Sequence, residues 1–138
     1  MVDGPRILVG AYDTGSAGNY FKIFDEYIPG SFDIVDNGET LLNKFCEGNG
    51  VYAFVIATDI MPNQSGIDAI KKMRAYESEK NLKPAEMYLV MAKVESPRVE
   101  KDAFKAGATG ILRKPVQEDD LVEILGKYFE ICESSPSA

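Results

Sequence analysis

The chain is expected to form an α/β domain of three layers, with a parallel five-stranded sheet between two layers of helices. Three observations predict this. Short apolar runs alternate with longer amphipathic ones along the whole chain, the pattern of repeated β-α units. Turn-forming residues separate the runs, as at Pro29-Gly30, Asn37-Gly38 and Gly48. The run from Tyr52 to Ala57 is apolar throughout, as a strand covered on both faces must be.

The elements follow in order. Ile7-Leu8-Val9 reads as the first strand, with Pro5 confined to its start. Thr14 to Gly18 reads as a glycine-containing turn, after which Tyr20, Phe21, Phe24 and Ile28 recur at helical spacing until Pro29-Gly30. Phe32 to Val35 is a short second strand, and Asn37-Gly38 turns the chain into a helix carrying Leu41, Leu42 and Phe45. Strand three is Tyr52 to Ala57, and helix three is defined by Ile67, Ile70, Met73 and Arg74. Lys71, Lys72 and Arg74 are read as solvated charges on its outer side. A polar stretch from Glu77 to Pro84 leads to strand four, Met87 to Met91. Ser96-Pro97 forms a helix start with proline at the first helical position, and the helix presents Val99, Ala103 and Phe104 inward before ending at Gly107. Ile111-Leu112 is strand five; the last helix carries Leu121, Ile124, Leu125, Tyr128 and Phe129. No internal repeat is visible.

Composition narrows the function. A chain of 138 residues, 45% hydrophobic, is one domain's length and buries roughly two-thirds of its unfolded surface. No apolar run approaches the ~18 residues of a membrane span, and no basic-then-apolar leader opens the chain, so a cytoplasmic protein without membrane contact is expected. Cys46 and Cys132 have no metal-type spacing and read as reduced thiols. A net charge of −7 opposes binding to a nucleic-acid backbone. With no histidine, Ser-His and Cys-His activation are closed, and a stand-alone enzyme is not expected.

The stretch Ala57 to Gly66, ATDIMPNQSG, carries the most information. With Ala106-Gly107-Ala108 and Lys114-Pro115 downstream, it resembles the receiver domain of two-component response regulators, in which strand three ends in Asp-x-x-Met-Pro followed by glycine. Met61-Pro62, Gly66, Ala106-Gly107-Ala108 and Lys114-Pro115 stand at the spacings of that family, and the resemblance spans residues 5–131. It implies a flavodoxin-like (βα)5 doubly wound fold, with a receiver-like domain over 1–131 and a polar tail or linker over 132–138. It also implies a pocket at the carboxyl ends of the strands. There an acidic pair holds magnesium, an aspartate accepts a phosphoryl group, and a hydroxyl and a lysine contact it.

Mapped residue by residue, the pocket has lost most of these groups. The acidic pair becomes Ala11 and Tyr12, and the phosphoacceptor becomes Thr58. The hydroxyl after strand four becomes Met91, and the rotating aromatic of strand five becomes Ile111. Lys114 remains, and Pro115 after it is a candidate cis peptide that orients the lysine. A neutral hydroxyl does not form an acyl phosphate. The leading expectation is therefore a pseudo-receiver that needs no metal or cofactor and signals by protein contact. Its contacts are an output domain, a protein partner or a second copy, through the face of helix four, strand five and helix five. Arg98, Lys101, Asp102 and Lys105 are expected exposed there.

Two alternatives stay open. Asp13 and Asp59 lie one residue beyond the family positions, so a strand-end shift could make Asp59 the acceptor and Asp13 with Asp59 the magnesium ligands, served by a histidine kinase. Side chains alternate along a strand, so that shift needs a bulge. Thr14 to Asn19 also faintly resembles a flavodoxin phosphate loop, although a simple loop and helix cap explains it. Whatever its state, Lys114 should find Asp13, Asp59 or Thr58, or turn to solvent, because an enclosed ammonium without a partner is costly.

Overall fold

The computed structural model describes residues 6–91, 97–114 and 116–134, those after Lys127 by backbone alone. Five strands form one parallel sheet: β1 (Arg6–Gly10), β2 (Phe32–Val35), β3 (Tyr52–Thr58), β4 (Glu86–Met91) and β5 (Gly110–Arg113). The helices between and after them are α1 (Thr14–Tyr27), α2 (Gly38–Gly48), α3 (Gly66–Lys80), α4 (Pro97–Ala106) and α5 (Glu118–Ser134). The strand order β2-β1-β3-β4-β5 reverses direction between β1 and β3, which opens a crevice at their carboxyl ends.

Alternation along the strands divides the core in two. Leu8, Val55, Ala57, Met87, Leu89 and Met91 face one way and meet α2, α3 and α4 through Leu41, Phe45, Ile70, Met73 and Ala103. Ile7, Val9, Phe54, Ile56, Tyr88 and Val90 face the other way and meet α1 and α5 through Tyr20, Ile23, Phe24, Leu121, Ile124 and Leu125. The three-layer expectation is therefore met. Strands this short hold position because both faces are covered.

Four local expectations differ. Residues 14–18 are no turn: α1 starts at Thr14 because Asp13 caps it, accepting from the Ser16 backbone N–H at 2.6 Å. The polar stretch assigned to 77–84 begins inside α3, which runs on to Lys80 and stops at Asn81 in a left-handed conformation. Phe104 is half exposed, since the buried stripe of α4 is Val99, Ala103 and Ala106 and Phe104 stands one position round from it. Arg74 is no solvated charge. Its guanidinium donates to the Gly107 carbonyl at 2.9 Å and pairs with Glu77 at 2.7 Å. Gly107, at φ +113°, leaves room for that side chain, for a Cβ there would stand 2.7 Å from the Arg74 Cγ.

Glu77 itself is buried and accepts the Ala85 backbone N–H at 2.7 Å. The start of α4 at Ser96, the Lys114-Pro115 peptide and the side chains of Tyr128, Phe129 and Cys132 lie outside the described residues. No helix among the described residues is long and apolar enough to cross a membrane.

Candidate functional site

The site is built at the crevice between β1 and β3. Chain pairing there is regular: Gly10 lies opposite Ala57, and Thr58 lies opposite Val90. The ladder continues past the strand, with the Asp59 N–H donating to the Val90 carbonyl at 2.9 Å. The register of β1 with β3 shifts at Arg6/Ile7, at the far end of the sheet. No bulge at the end of β3 advances Asp59 into the position of Thr58.

Thr58 is buried, and its hydroxyl donates to the Gly10 carbonyl at 2.8 Å. This ties the ends of β1 and β3 together, and it occupies the hydroxyl proton. Behind it, the Gly66 N–H donates to the Asp59 carbonyl at 2.9 Å. A Cβ on Gly66 would lie 2.3 Å from the Thr58 carbonyl oxygen, so the loop from β3 to α3 closes this tightly only around glycine. Met61 folds back over β1, its sulfur 3.0 Å from where a Gly10 Cβ would stand.

The positions beyond β1 are as bare of carboxylate as the sequence requires. Ala11 is buried, its N–H bound to the Val35 carbonyl at 2.9 Å, while Tyr12 is half exposed. Asp13 is the capping residue of α1, and its second oxygen also accepts the Ser16 hydroxyl at 3.0 Å. The Lys114 ammonium stands 3.8 Å from the same oxygen, with both side chains partly exposed. The Ser16 backbone N–H first, then its hydroxyl, hold the Asp13 carboxyl below its usual range, and the Lys114 charge adds to this. Asp59 differs: burial pushes its carboxyl up. The Lys114 ammonium thus faces Asp13 at ion-pair distance, beyond hydrogen-bond reach and partly open to solvent, and the Lys114 backbone N–H donates to the Met91 carbonyl at 2.9 Å.

Met91 is buried and Ile111 partly so, both against the core on the α2-α3-α4 side. They lie on neighbouring strands, with Leu89 opposite Ile111 and Met91 opposite Arg113. On α4, Arg98, Lys101, Asp102 and Lys105 are exposed. Spaced i, i+3, i+4 and i+7, they share one exposed stripe of α4. On the flank away from β5, Asp102 and Lys105 line a groove of about 550 Å³ against Asp68 and Lys71 of α3 and its capping residue Ser65. Pro115 lies outside the described residues.

The donor set does not fit magnesium. The family's two carboxylate positions hold a methyl group and an outward phenol, and Asp13 is engaged by its own helix. Among the described residues no group of three or more His, Cys, Asp or Glu side chains could hold a metal. An open cleft of about 480 Å³ lies beside the site between α1 and α2, lined by Ala11, Tyr12, Asp13, Ile34 and Asp36. The stretch weighed as a flavin phosphate loop is the first part of α1, with Asp13 already occupying its capping role.

Two structural partners escape sequence reasoning. The spacing of Asp13 and Ser16 is that of a helix cap and its third residue, a readable signal. The Gly10 carbonyl under Thr58 leaves no signal, since it is a backbone group 48 positions away.

No family model matches the chain. Curated relatives do. The chain is 37% identical over 95 residues to chemotaxis protein CheY-3 of Vibrio cholerae, covering 69% of this chain and 68% of that protein. It is 32% identical over 95 residues to chemotaxis protein CheY of Pseudomonas aeruginosa, covering 69% and 72%. Among solved structures, the Vibrio cholerae chemotaxis protein CheY4 superposes with a TM-score of 0.76 at 18% identity, over 91% of this chain and 98% of that one.

Proposed function

Since the chain belongs to the receiver-domain family of two-component response regulators that includes these CheY proteins, we propose that it acts as a pseudo-receiver: a signalling module, not an enzyme, that works by protein contact without aspartyl phosphorylation or magnesium. One observation carries the reading. The side chain at the end of β3 is a buried threonine whose hydroxyl donates to the Gly10 carbonyl. A carboxylate cannot make that bond, and a hydroxyl so held cannot form an acyl phosphate.

The neighbouring positions agree with it. Ala11 and Tyr12 provide no ligand for a divalent cation. Met91 and Ile111 pack in one core cluster, where they can sense no phosphoryl oxygen. A switch needs two states with different affinity for a ligand, and neither group distinguishes such states. The module therefore holds one conformation and binds its partner, an output domain or a second copy, constitutively in the cytoplasm. The face of α4, β5 and α5 presents Lys101 and the exposed Phe104 to that partner.

The test is a magnesium titration of the full chain followed by NMR, then a binding measurement with and without a small phosphodonor. Amide shifts around Asp13 and Asp59 at millimolar magnesium would contradict the reading and favour the phosphorylated alternative on Asp59. Charge reversal at Lys101 and Lys105 should weaken association. Association that appears only with phosphodonor would likewise contradict it.

A further inference from the structure

Helix α4 has little apolar anchorage. Ala103 is its buried residue, helped by partly buried Val99 and Ala106, whereas α3 buries Ala69, Ile70 and Met73. Yet an arginine from outside holds α4 at each end. Near its start, Glu100 is paired with Arg113 from the end of β5. Just past its end, the Gly107 carbonyl accepts from the Arg74 guanidinium at 2.9 Å. Arg74 is itself fixed by buried Glu77 and reaches the Thr109 hydroxyl at 3.4 Å.

From this we infer that α4 is locked against the sheet by a two-arginine clamp, so that its orientation is set by the Arg113–Glu100 ion pair and the Arg74–Gly107 hydrogen bond, and not by the occupancy of the site at β3. The inference rests on the pseudo-receiver reading and names what fixes its single conformation. Arg113 stands opposite Met91, next to Lys114, and so lies where a signal would leave the site. Its pair with Glu100 crosses from β5 to the first turn of α4, where a carboxylate also meets the positive helix end.

The pairing is costly in one respect: the Arg113 Nη1 atom is buried and has no hydrogen-bond partner among the described residues. A buried N–H left unpaired works against stability. Because both partners are partly exposed, an apolar side chain at 113 should lower global stability only slightly, while releasing α4. Orientation, not stability, is what this arginine supplies.

Amide hydrogen exchange on the full chain, without metal or phosphodonor, separates the two effects. In Arg113→Met the α4 amides should exchange about fivefold faster, the size of a partly exposed ion pair. Amides of α1 and β1 should keep their rates, and the melting temperature should change little. The charge swap E100R/R113E should restore part of the slow exchange in α4, since the swapped pair forgoes the carboxylate at the positive helix end. Should Arg113→Met fail to fold, Glu100→Gln on the helix surface reads the same contact. Exchange in α4 unchanged in these variants, or faster by one factor in every element, would overturn the clamp. The result is independent of phosphorylation: an acyl phosphate on the chain would refute the pseudo-receiver reading and leave the exchange pattern as it is.

Discussion

The two ends of the sheet differ in where they place their polar chemistry. At the carboxyl ends, the family's acidic pair, acceptor and hydroxyl become Ala11, Tyr12, Thr58 and Met91, and the ion pair left in the pocket, Asp13 with Lys114, is loose and partly exposed. At the amino ends the reverse holds. Arg6 and the Tyr52 hydroxyl both donate to Asp33, at 3.0 and 2.7 Å. Glu77 is held by Arg74 and the Ala85 N–H, and the Tyr88 hydroxyl joins Glu86 to Lys127. The difference teaches that the frame and the chemistry of this fold are separable. The foot of the sheet keeps the helices in register, while the carboxyl ends hold the proposed pseudo-receiver site.

Substitution should expose the contrast. The largest effect belongs to Glu77→Ala, which leaves the buried Ala85 backbone N–H unpaired and takes the carboxylate from the part-buried Arg74 guanidinium. It should cost about 3 kcal/mol in urea unfolding, and a loss below about 1 kcal/mol would break the comparison at its strongest point.

Next come Asp33 and Asp59, which should respond to pH with opposite sign. Burial pushes the Asp33 carboxyl up, but the Tyr52 hydroxyl and the Arg6 guanidinium together outweigh it and hold it below its usual range. Its contribution is present above the unfolded value near pH ~3.9 and is lost as pH falls through the lower folded value. Asp33→Asn should cost about 1 kcal/mol at pH 7 and reduce the acid sensitivity below about pH 4. The Asp59 carboxyl is pushed up by burial, so its favourable state is the protonated one. That contribution is full below the unfolded value and is lost as pH rises through the folded one. Asp59→Asn should then gain up to about 1 kcal/mol at pH 7 and nothing near pH 3. Stability curves of both variants across pH 3 to 7 check the signs.

The smallest effect belongs to Asp13→Asn. Asparagine caps a helix about as well as aspartate, so stability should change by no more than about 0.5 kcal/mol, even with the Lys114 pair removed. A larger loss in thermal melts would show that Asp13 does more than cap α1.

The sheet was legible in the sequence because its signals are local. Tyr52 to Ala57 is apolar in one run, and Pro29-Gly30 and Asn37-Gly38 mark chain reversals wherever they stand. The site frame was legible for the same reason, through the fixed spacing of Met61-Pro62 and Gly66. What escaped were polar groups whose role depends on distant partners. Arg74 looks like any surface charge until Gly107 and Thr109 arrive 33 and 35 positions later. Glu77 looks like the start of a polar loop until the Ala85 N–H turns back to it. Phe104 was placed inward on hydrophobicity, but the stripe of α4 had room for Val99, Ala103 and Ala106 and none for a ring beside them.

The central claim is that the phosphoryl chemistry of this site is gone while its frame remains. Intact mass spectrometry of the full chain after treatment with a small acyl phosphate and magnesium tests it most directly, with the same treatment of Thr58→Asp alongside. The wild-type chain should keep its unmodified mass. So should Thr58→Asp, since restoring one carboxylate leaves Ala11 and Tyr12 without a metal ligand. A mass increase of one phosphoryl group on the wild-type chain, abolished by Asp59→Asn, would contradict the claim.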